Sequence, residues 1–242
     1  MIRKLSGAAV PALWLAWGIV PASAGDVAGL SILGFSADAA IFAFEEYGVQ
    51  DGSGFPYANR FYIDVATDRF IPGTPIRVRI DDEGATLQQA RDRAGAPGQA
   101  IVSDAELAQN RGHTAGINAV TELSADPLRL AVNPRPVIPP VDAAVEFRIE
   151  EYALDTSGCE NLGPTMGFRL LRIDLTPGGA VDLLHEDDRI PSSRGCPLGY
   201  RIGAVQTIHP DTGTPSFAVL VAVRSFGFEG PDYRWIAVTG RL

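Results

Sequence analysis

The chain has 242 residues and a formal net charge of −9, with enough hydrophobic residues, 46%, to build a globular core. The acidic balance argues against nucleic acid and anionic lipid surfaces as partners, because both are bound mainly through Lys and Arg. The only lysine is Lys4, so the rest of the chain has no amine for a Schiff base or a phosphate-binding loop.

The N-terminus shows the features of an export signal in the expected order. Arg3 and Lys4 form a positive start, residues 8–20 are apolar, and Ala22-Ser23-Ala24 is a small-residue cleavage site. We predict that residues 1–24 are removed and that the mature chain, with eleven net negative charges once Arg3 and Lys4 are lost, is periplasmic or secreted. The alternative is an uncleaved N-terminal anchor, but the apolar run is shorter than the roughly 20 residues of a membrane helix. No later stretch is long enough to stop transfer, so no membrane span is expected after cleavage.

The first strand signals follow this leader. The aromatic and β-branched run 41–47 is joined through a Gly-rich segment, 48–54, to a second run at 60–65. Apolar stretches at 30–35 and 76–80 extend this first strand–loop–strand unit, which we place at about 29–80.

A helical insert is predicted at about 84–112. Its first half has weak helical spacing, and Ser103-Asp104-Ala105-Glu106 has the pattern of a capping box, in which the Ser and Glu side chains each satisfy a free amide of the first turn. Gly112 is placed to end that helix. A Pro-rich connector follows, so insert and connector together cover about 84–140.

The pattern of the first unit returns twice. Phe44-Glu45-Glu46-Tyr47 is matched by Ile149-Glu150-Glu151-Tyr152, and a third strand–loop–strand pattern follows residue 200. Such internal repetition indicates an array of small β units. We therefore predict a mainly β fold, with antiparallel sheets from three units arranged as a sandwich or a propeller-like array. The units lie at about 29–80, 127–185 and 200–242 of a single β-rich domain, 25–242.

Two cysteines, Cys159 and Cys196, remain in the mature chain. An even pair in an oxidising compartment is most simply a disulfide. The alternative is a redox or metal-binding pair, for which the sequence offers no C-x-x-C spacing.

Common enzyme signatures are absent from the sequence: it contains no G-x-S-x-G, no H-E-x-x-H and no G-x-G-x-x-G after a strand. His185 precedes Glu186-Asp187-Asp188, which we interpret as a solvated acidic turn, so no metal or other cofactor is predicted. Strand alternation places Glu45 and Glu46 on opposite faces, and the same holds for Glu150 and Glu151. A catalytic pair of carboxylates would therefore have to come from different strands.

Several segments resemble an uncharacterised family of bacterial predicted secreted proteins. They are Gly34 to Asp38, Phe42 to Tyr57, Ser193 to Pro197 and Gly227 to Asp232. The resemblance implies secretion and no established activity. The order F-S-x-D, strand, loop, strand, I-D-V also resembles one blade of a TolB- or WD-type propeller, but three units are fewer than the usual minimum of about four blades.

Two functions stay open. The first is a non-enzymatic binding or interaction module for an unknown envelope protein or ligand, because loops on a rigid scaffold commonly carry binding groups. The candidate surface residues are Asp51, Phe55, Tyr57, Phe228, Glu229, Asp232 and Arg194. In a competing interpretation, Phe55, Tyr57 and Phe228 point inward and fill the space beneath their loops, which leaves no binding site. The second function is a carboxylate-dependent hydrolase acting on a cell-envelope polymer, with Glu46, Asp51, Glu229 and Asp232 as candidates.

Overall fold

The structure is a computed structural model that describes residues 25–227 and 230–242. The predicted leader, residues 1–24, and the candidate residues Phe228 and Glu229 lie outside the described residues. Within the described part, no helix is long and apolar enough to cross a membrane.

The described residues form thirteen strands, two α-helices and one short 3₁₀ turn, Ser192–Arg194. The elements before residue 118 are β1 Gly29–Phe35, β2 Ile41–Val49, β3 Pro56–Asp64, β4 Arg69–Phe70, β5 Ile76–Arg79, α1 Leu87–Gly98, α2 Asp104–Gln109 and β6 His113–Ile117. The later strands are β7 Arg129–Val132, β8 Val145–Ala153, β9 Met166–Asp174, β10 Val181–Glu186, β11 Pro197–Ile208, β12 Ser216–Ser225 and β13 Asp232–Arg241.

These strands form three antiparallel sheets, one for each repeated unit, which confirms the predicted fold class. Sheet I has the order β1-β2-β3-β4, with β5 also paired to β3. Sheet II has the order β10-β9-β8-β7, and sheet III has the order β13-β12-β11-β6. Strand β6 was not predicted: it lies in the segment interpreted as insert and connector, and it pairs with β11 far along the chain.

Sheet III lies between the other two sheets, so the arrangement is sandwich-like with three layers. On one face of β12, Ala218, Leu220 and Ala222 share a core with the phenylalanines of sheet I. On the other face, Phe217, Val219 and Val221 share a core with sheet II. A strand covered on both sides has no polar face, which explains the uninterrupted apolar sequence from 217 to 223.

Helix α1 is fastened to the outer face of sheet I by a buried ion pair. Glu45 is fully buried, and Arg91 donates to its two carboxylate oxygens at 3.2 and 3.1 Å. Thr86 and Gln89 form a capping box at the start of the helix, which the sequence analysis did not identify.

Helix α2 is capped by Ser103, whose hydroxyl accepts a hydrogen bond from the Glu106 amide at 3.2 Å. The other half of the predicted capping box is not formed, because the Glu106 carboxylate accepts from the Ala37 amide at 2.9 Å instead. The helix ends at Gln109, three residues before the predicted end, and Gly112 has a φ of +74° where the chain turns into β6.

The structure contains the predicted disulfide between Cys159 and Cys196. It joins the loop between β8 and β9 to the residue before β11, and thereby links sheet II to sheet III. Closing a loop of this length stabilises the fold by about 4 kcal/mol in the chain-entropy model.

Candidate functional site

The loops of the three repeated hairpins leave the three layers at one end. Near the end of β2, Glu46 accepts a hydrogen bond from the amide of Trp235, close to the start of β13, at 2.8 Å. Near the end of β8, Glu151 accepts from the amide of Tyr200, close to the start of β11, at 2.5 Å. Because the start of β11 pairs with the end of β12, the loops after β2, β8 and β12 lie at the same end.

Glu46 and Glu151, which match in the repeats, therefore both accept a hydrogen bond from a sheet III amide, whereas Glu45 is buried and its counterpart Glu150 is exposed. Glu45 faces α1 and Glu46 faces sheet III, as strand alternation predicts. The second carboxylate oxygen of Glu46 accepts from Asn59 Nδ2 at 2.9 Å. One oxygen of Glu46 thus joins sheet I to sheet III, and the other is bonded within sheet I. Glu46, one of the carboxylates considered for a hydrolase, is therefore buried, and both of its oxygens already accept hydrogen bonds.

The remaining candidates of the loop surface are spread between surface and interior. Asp51 is exposed and Phe55 is half-buried. Tyr57 is only 5% exposed and belongs to the core between sheets I and III. It therefore points inward, as in the interpretation that the loop aromatics fill the interior. Asp232 accepts a hydrogen bond from the Asp26 amide at 2.8 Å, which holds the first described residues against β13.

Arg194 lies in a buried ion pair beside the disulfide. Its Nη1 donates to Asp187 Oδ2 at 2.6 Å and to the Tyr200 hydroxyl at 3.1 Å. His185 Nε2 lies 3.0 Å from the other oxygen of Asp187. Burial acts to raise the pKa of the Asp187 carboxyl, but hydrogen bonds from His185 and Arg194 outweigh it and hold that pKa below its ordinary value. The guanidinium of Arg194 is therefore engaged internally.

The prediction that Glu186-Asp187-Asp188 is a solvated turn is wrong for the central residue, because Asp187 is buried. The physical reason is that the Arg194 guanidinium and the Phe168 amide supply polar partners inside the fold. Among the described residues, no group of three or more His, Cys, Asp or Glu side chains is arranged to hold a metal ion.

The main apolar concavity lies elsewhere, between the edges of sheets I and III. This interlayer groove has a volume of about 570 Å³. It is lined by Val27, Leu30, Ser31, Ile32, Arg111, Thr114, Ile117, Asn118, Ala119, Val120, Thr121, Gly203, Ala204, Gln206 and Trp235. The lining joins β1, β6 and the segment after β6 to strands β11 and β13 of sheet III.

Trp235 is held firmly in the groove lining. Its indole Nε1 donates to the carbonyl of Ala28 at 2.8 Å, and its ring lies against the backbone of Gly203. A Cβ atom at position 203 would lie 2.3 Å from the ring, so glycine is required for this close approach.

Both long sides of the groove are edge strands. The outer edge of β1 has main-chain partners near its two ends, where Ala28 donates to Tyr233 and Phe35 donates to Asn110. Between these points the described residues supply no other partner for that edge. On the opposite side, Ile117 of β6 is 74% exposed at the rim.

Polar side chains at the base of the groove already have protein partners. Gln206 accepts from the Thr114 hydroxyl and donates to the Arg111 carbonyl, each at 2.7 Å. Asn118 donates to the Asp126 carbonyl at 3.0 Å. The surface left for a ligand is mainly apolar side chains and the main-chain edge of β1, and the side chains of Ser31, Arg111 and Thr121 add polar groups to the lining.

The groove is not apparent in the sequence because its lining comes from four separated segments. Strand β6 was the missing part, since residues 113–117 were included in the insert and connector. The two β-branched residues of this segment, Thr114 and Ile117, are only a weak strand signal.

A family model described as "Predicted secreted protein (DUF2259)" matches residues 43–241. No curated protein and no solved structure matches the chain.

Proposed function

Because the chain belongs to this family of predicted secreted proteins, we propose that it is a non-enzymatic binding module that holds an extended segment of a partner polypeptide in the interlayer groove. The observation that carries the proposal is an apolar groove, with Trp235 in its lining, beside the stretch of the β1 edge between Ala28 and Phe35, for which the described residues supply no main-chain partner. The carboxylate-dependent hydrolase stays a prediction from the sequence.

The dimensions of the groove fit this role. Its volume of about 570 Å³ lies within the roughly 300–1,000 Å³ of typical ligand sites, which are lined mainly by apolar side chains. An extended segment satisfies both surfaces that the groove offers. Its main chain pairs with β1, and its alternate side chains enter the groove, as in other cases of β-strand addition. Since β1 runs from Gly29 to Phe35 and the Phe35 amide already donates to Asn110, a segment of about six residues covers the free part of the edge.

Trp235 makes occupancy directly measurable. The other two tryptophans, Trp14 and Trp17, lie in the predicted leader, so Trp235 is the single tryptophan of the mature chain. Intrinsic fluorescence therefore reports one residue, and that residue lines the groove.

The test is a selection of random heptapeptides on the mature protein, followed by titration of individual peptides against Trp235 fluorescence. Peptides that also bind the variant Ile117→Asp are discarded. This substitution places a charge at the rim of the groove, and because Ile117 is 74% exposed it leaves the core undisturbed. Val181→Asp is the matched control, because Val181 is 60% exposed on the edge strand β10 of sheet II.

The proposal expects peptides with alternating apolar residues that shift the fluorescence of the wild type and of Val181→Asp. Ile117→Asp should bind them at least about tenfold more weakly, and methylation of alternate peptide nitrogens should abolish binding because it removes main-chain donors. Peptides that bind equally after methylation would contradict strand addition. Binding of the apolar dye 1-anilinonaphthalene-8-sulfonate without binding of any peptide would identify the groove as a small-molecule pocket. That result would also overturn the proposal.

A further inference from the structure

A second cavity, of about 410 Å³, lies on sheet I beyond the edge of sheet III. We propose that this arginine shelf, defined by Arg77, Arg79 and Arg234 with Tyr57 and Asn59, binds an oxyanionic group, a phosphate or a carboxylate, of a ligand. The site is separate from the interlayer groove and does not depend on its function.

Strand pairing brings the basic side chains together. Arg77 lies opposite Asn59 and Arg79 lies opposite Tyr57 in the pair of β5 with β3. Opposite residues of an antiparallel pair share one face of the sheet. Tyr57 and Asn59 face sheet III, so Arg77 and Arg79 extend the same face beyond the cover that sheet III provides. Arg234 of β13 forms the adjoining wall.

The three guanidinium groups differ in how firmly they are engaged. Arg234 is tied to Asp26 by an ion pair of 2.6 Å that is largely shielded from solvent. Arg79 pairs with Asp81 at 2.6 Å, but both side chains are more than half exposed. An exposed pair of this kind contributes little, so Arg79 can exchange Asp81 for a ligand.

Arg77 is the principal anchor. Among the described residues no carboxylate forms an ion pair with it, and its guanidinium carbon lies 5.7 Å from the centre of the Phe61 ring. Contact with an aromatic face restricts the orientation of the planar group, which then presents its paired N–H donors to a carboxylate or phosphate. Arg77 and Arg79 are two positions apart on one strand, about 7 Å, so two charged groups of one ligand can be met together.

Tyr57 forms the aromatic part of the shelf beside Arg234, whose guanidinium carbon lies 5.1 Å from the centre of the ring. Its side chain is buried and lines the shelf, yet its hydroxyl has no hydrogen-bond partner among the described residues. Nearby carboxylates are already engaged, since Glu46 is held by Asn59 and Trp235, and Asp26 by Arg234.

The experiment is calorimetric titration of the mature protein at low salt with two probes, inorganic pyrophosphate for the phosphate source and citrate for the carboxylate source. The net negative charge of the chain repels anions in general, so specific binding stands out. The variants are Arg77→Gln, Arg77→Lys and a control, Arg93→Gln, which removes the same charge from the exposed surface of α1.

We expect at least one probe to bind, and added salt to weaken the binding. Arg77→Gln should lower affinity about 10- to 100-fold, because charge-assisted hydrogen bonds are lost, while Arg93→Gln should have little effect. Arg77→Lys should bind with intermediate affinity, since it keeps the charge without the planar fork. Absence of binding by both probes, or equal losses in Arg77→Gln and Arg93→Gln, would overturn the proposal. Ile117→Asp should leave anion binding unchanged, which separates this site from the groove.

Discussion

Two buried tyrosines provide a matched test of how hydrogen bonding stabilises the layers. Tyr57 and Tyr200 are each 5% exposed. The hydroxyl of Tyr200 accepts from Arg194 at 3.1 Å and donates to the Met166 carbonyl at 2.8 Å. The hydroxyl of Tyr57 has no partner among the described residues. Replacement by phenylalanine removes only the hydroxyl in both cases, so the two changes should affect the free energy of unfolding in opposite directions.

The magnitudes follow from the partners. Burial of an unsatisfied hydroxyl costs about 1–3 kcal/mol, so Tyr57→Phe should raise the free energy of unfolding by about 1 kcal/mol, or the melting temperature by roughly 2–4 °C. Tyr200→Phe loses two hydrogen bonds, one of them to a charged donor, and should lower it by about 2–3 kcal/mol. Burial raises the pKa of both phenols, that of Tyr200 to about 12, so neither ionises at neutral pH.

The assay is urea unfolding of the mature protein with the disulfide intact, followed by Trp235 fluorescence and by far-ultraviolet circular dichroism. Coincident transitions establish that a two-state free energy can be used. Destabilisation by Tyr57→Phe of more than about 1 kcal/mol would show that its hydroxyl has a partner, and the reasoning for this residue would then be refuted. Equal effects of the two substitutions would refute the matched comparison.

Four further outcomes are expected. Mass analysis of the exported protein should show a chain that starts at Gly25. Replacing Cys159 and Cys196 by alanine should lower the free energy of unfolding by about 4 kcal/mol, and thiol labelling of the unreduced wild type should find no free thiol. Gly203→Ala should displace the tryptophan ring, shift its emission and destabilise the fold by about 1–3 kcal/mol. The lowered pKa of Asp187 means that its contribution is present above its ordinary value of about 4 and is lost as pH falls through the folded-state value. Asp187→Asn should therefore destabilise the protein at neutral pH by about 3–5 kcal/mol and flatten its acid unfolding curve.

The three sheets were predictable because their signals are local. Aromatic and β-branched runs bounded by Gly and Pro formed strands, and the repeated Glu-Glu-Tyr pattern marked equivalent strands in sheets I and II. The order of the layers was not predictable in the same way. It depends on which apolar faces meet, as between Leu220 and sheet I or Val219 and sheet II, and this is a property of tertiary packing.

The candidate sites show the same limit. Strand alternation correctly placed Glu45 and Glu46 on opposite faces, but it does not reveal that Tyr57 lies under the guanidinium of Arg234, 5.1 Å from the ring centre. The interlayer groove depends on β6 pairing with β11, about ninety positions later in the chain. Contacts of such separation leave no periodic signal within a short window of sequence.

The layer order has a consequence for how this chain acquires its structure during export. The middle layer consists largely of β11–β13, which follow both outer layers in the chain. The inner faces of sheets I and II therefore stay uncovered until these last strands have joined the fold. Non-local pairing of this kind is slow and leaves apolar surface open to aggregation while it is pending. A chain truncated before β11 would keep both outer sheets without their common partner, so the fold is completed only when the last strands are present.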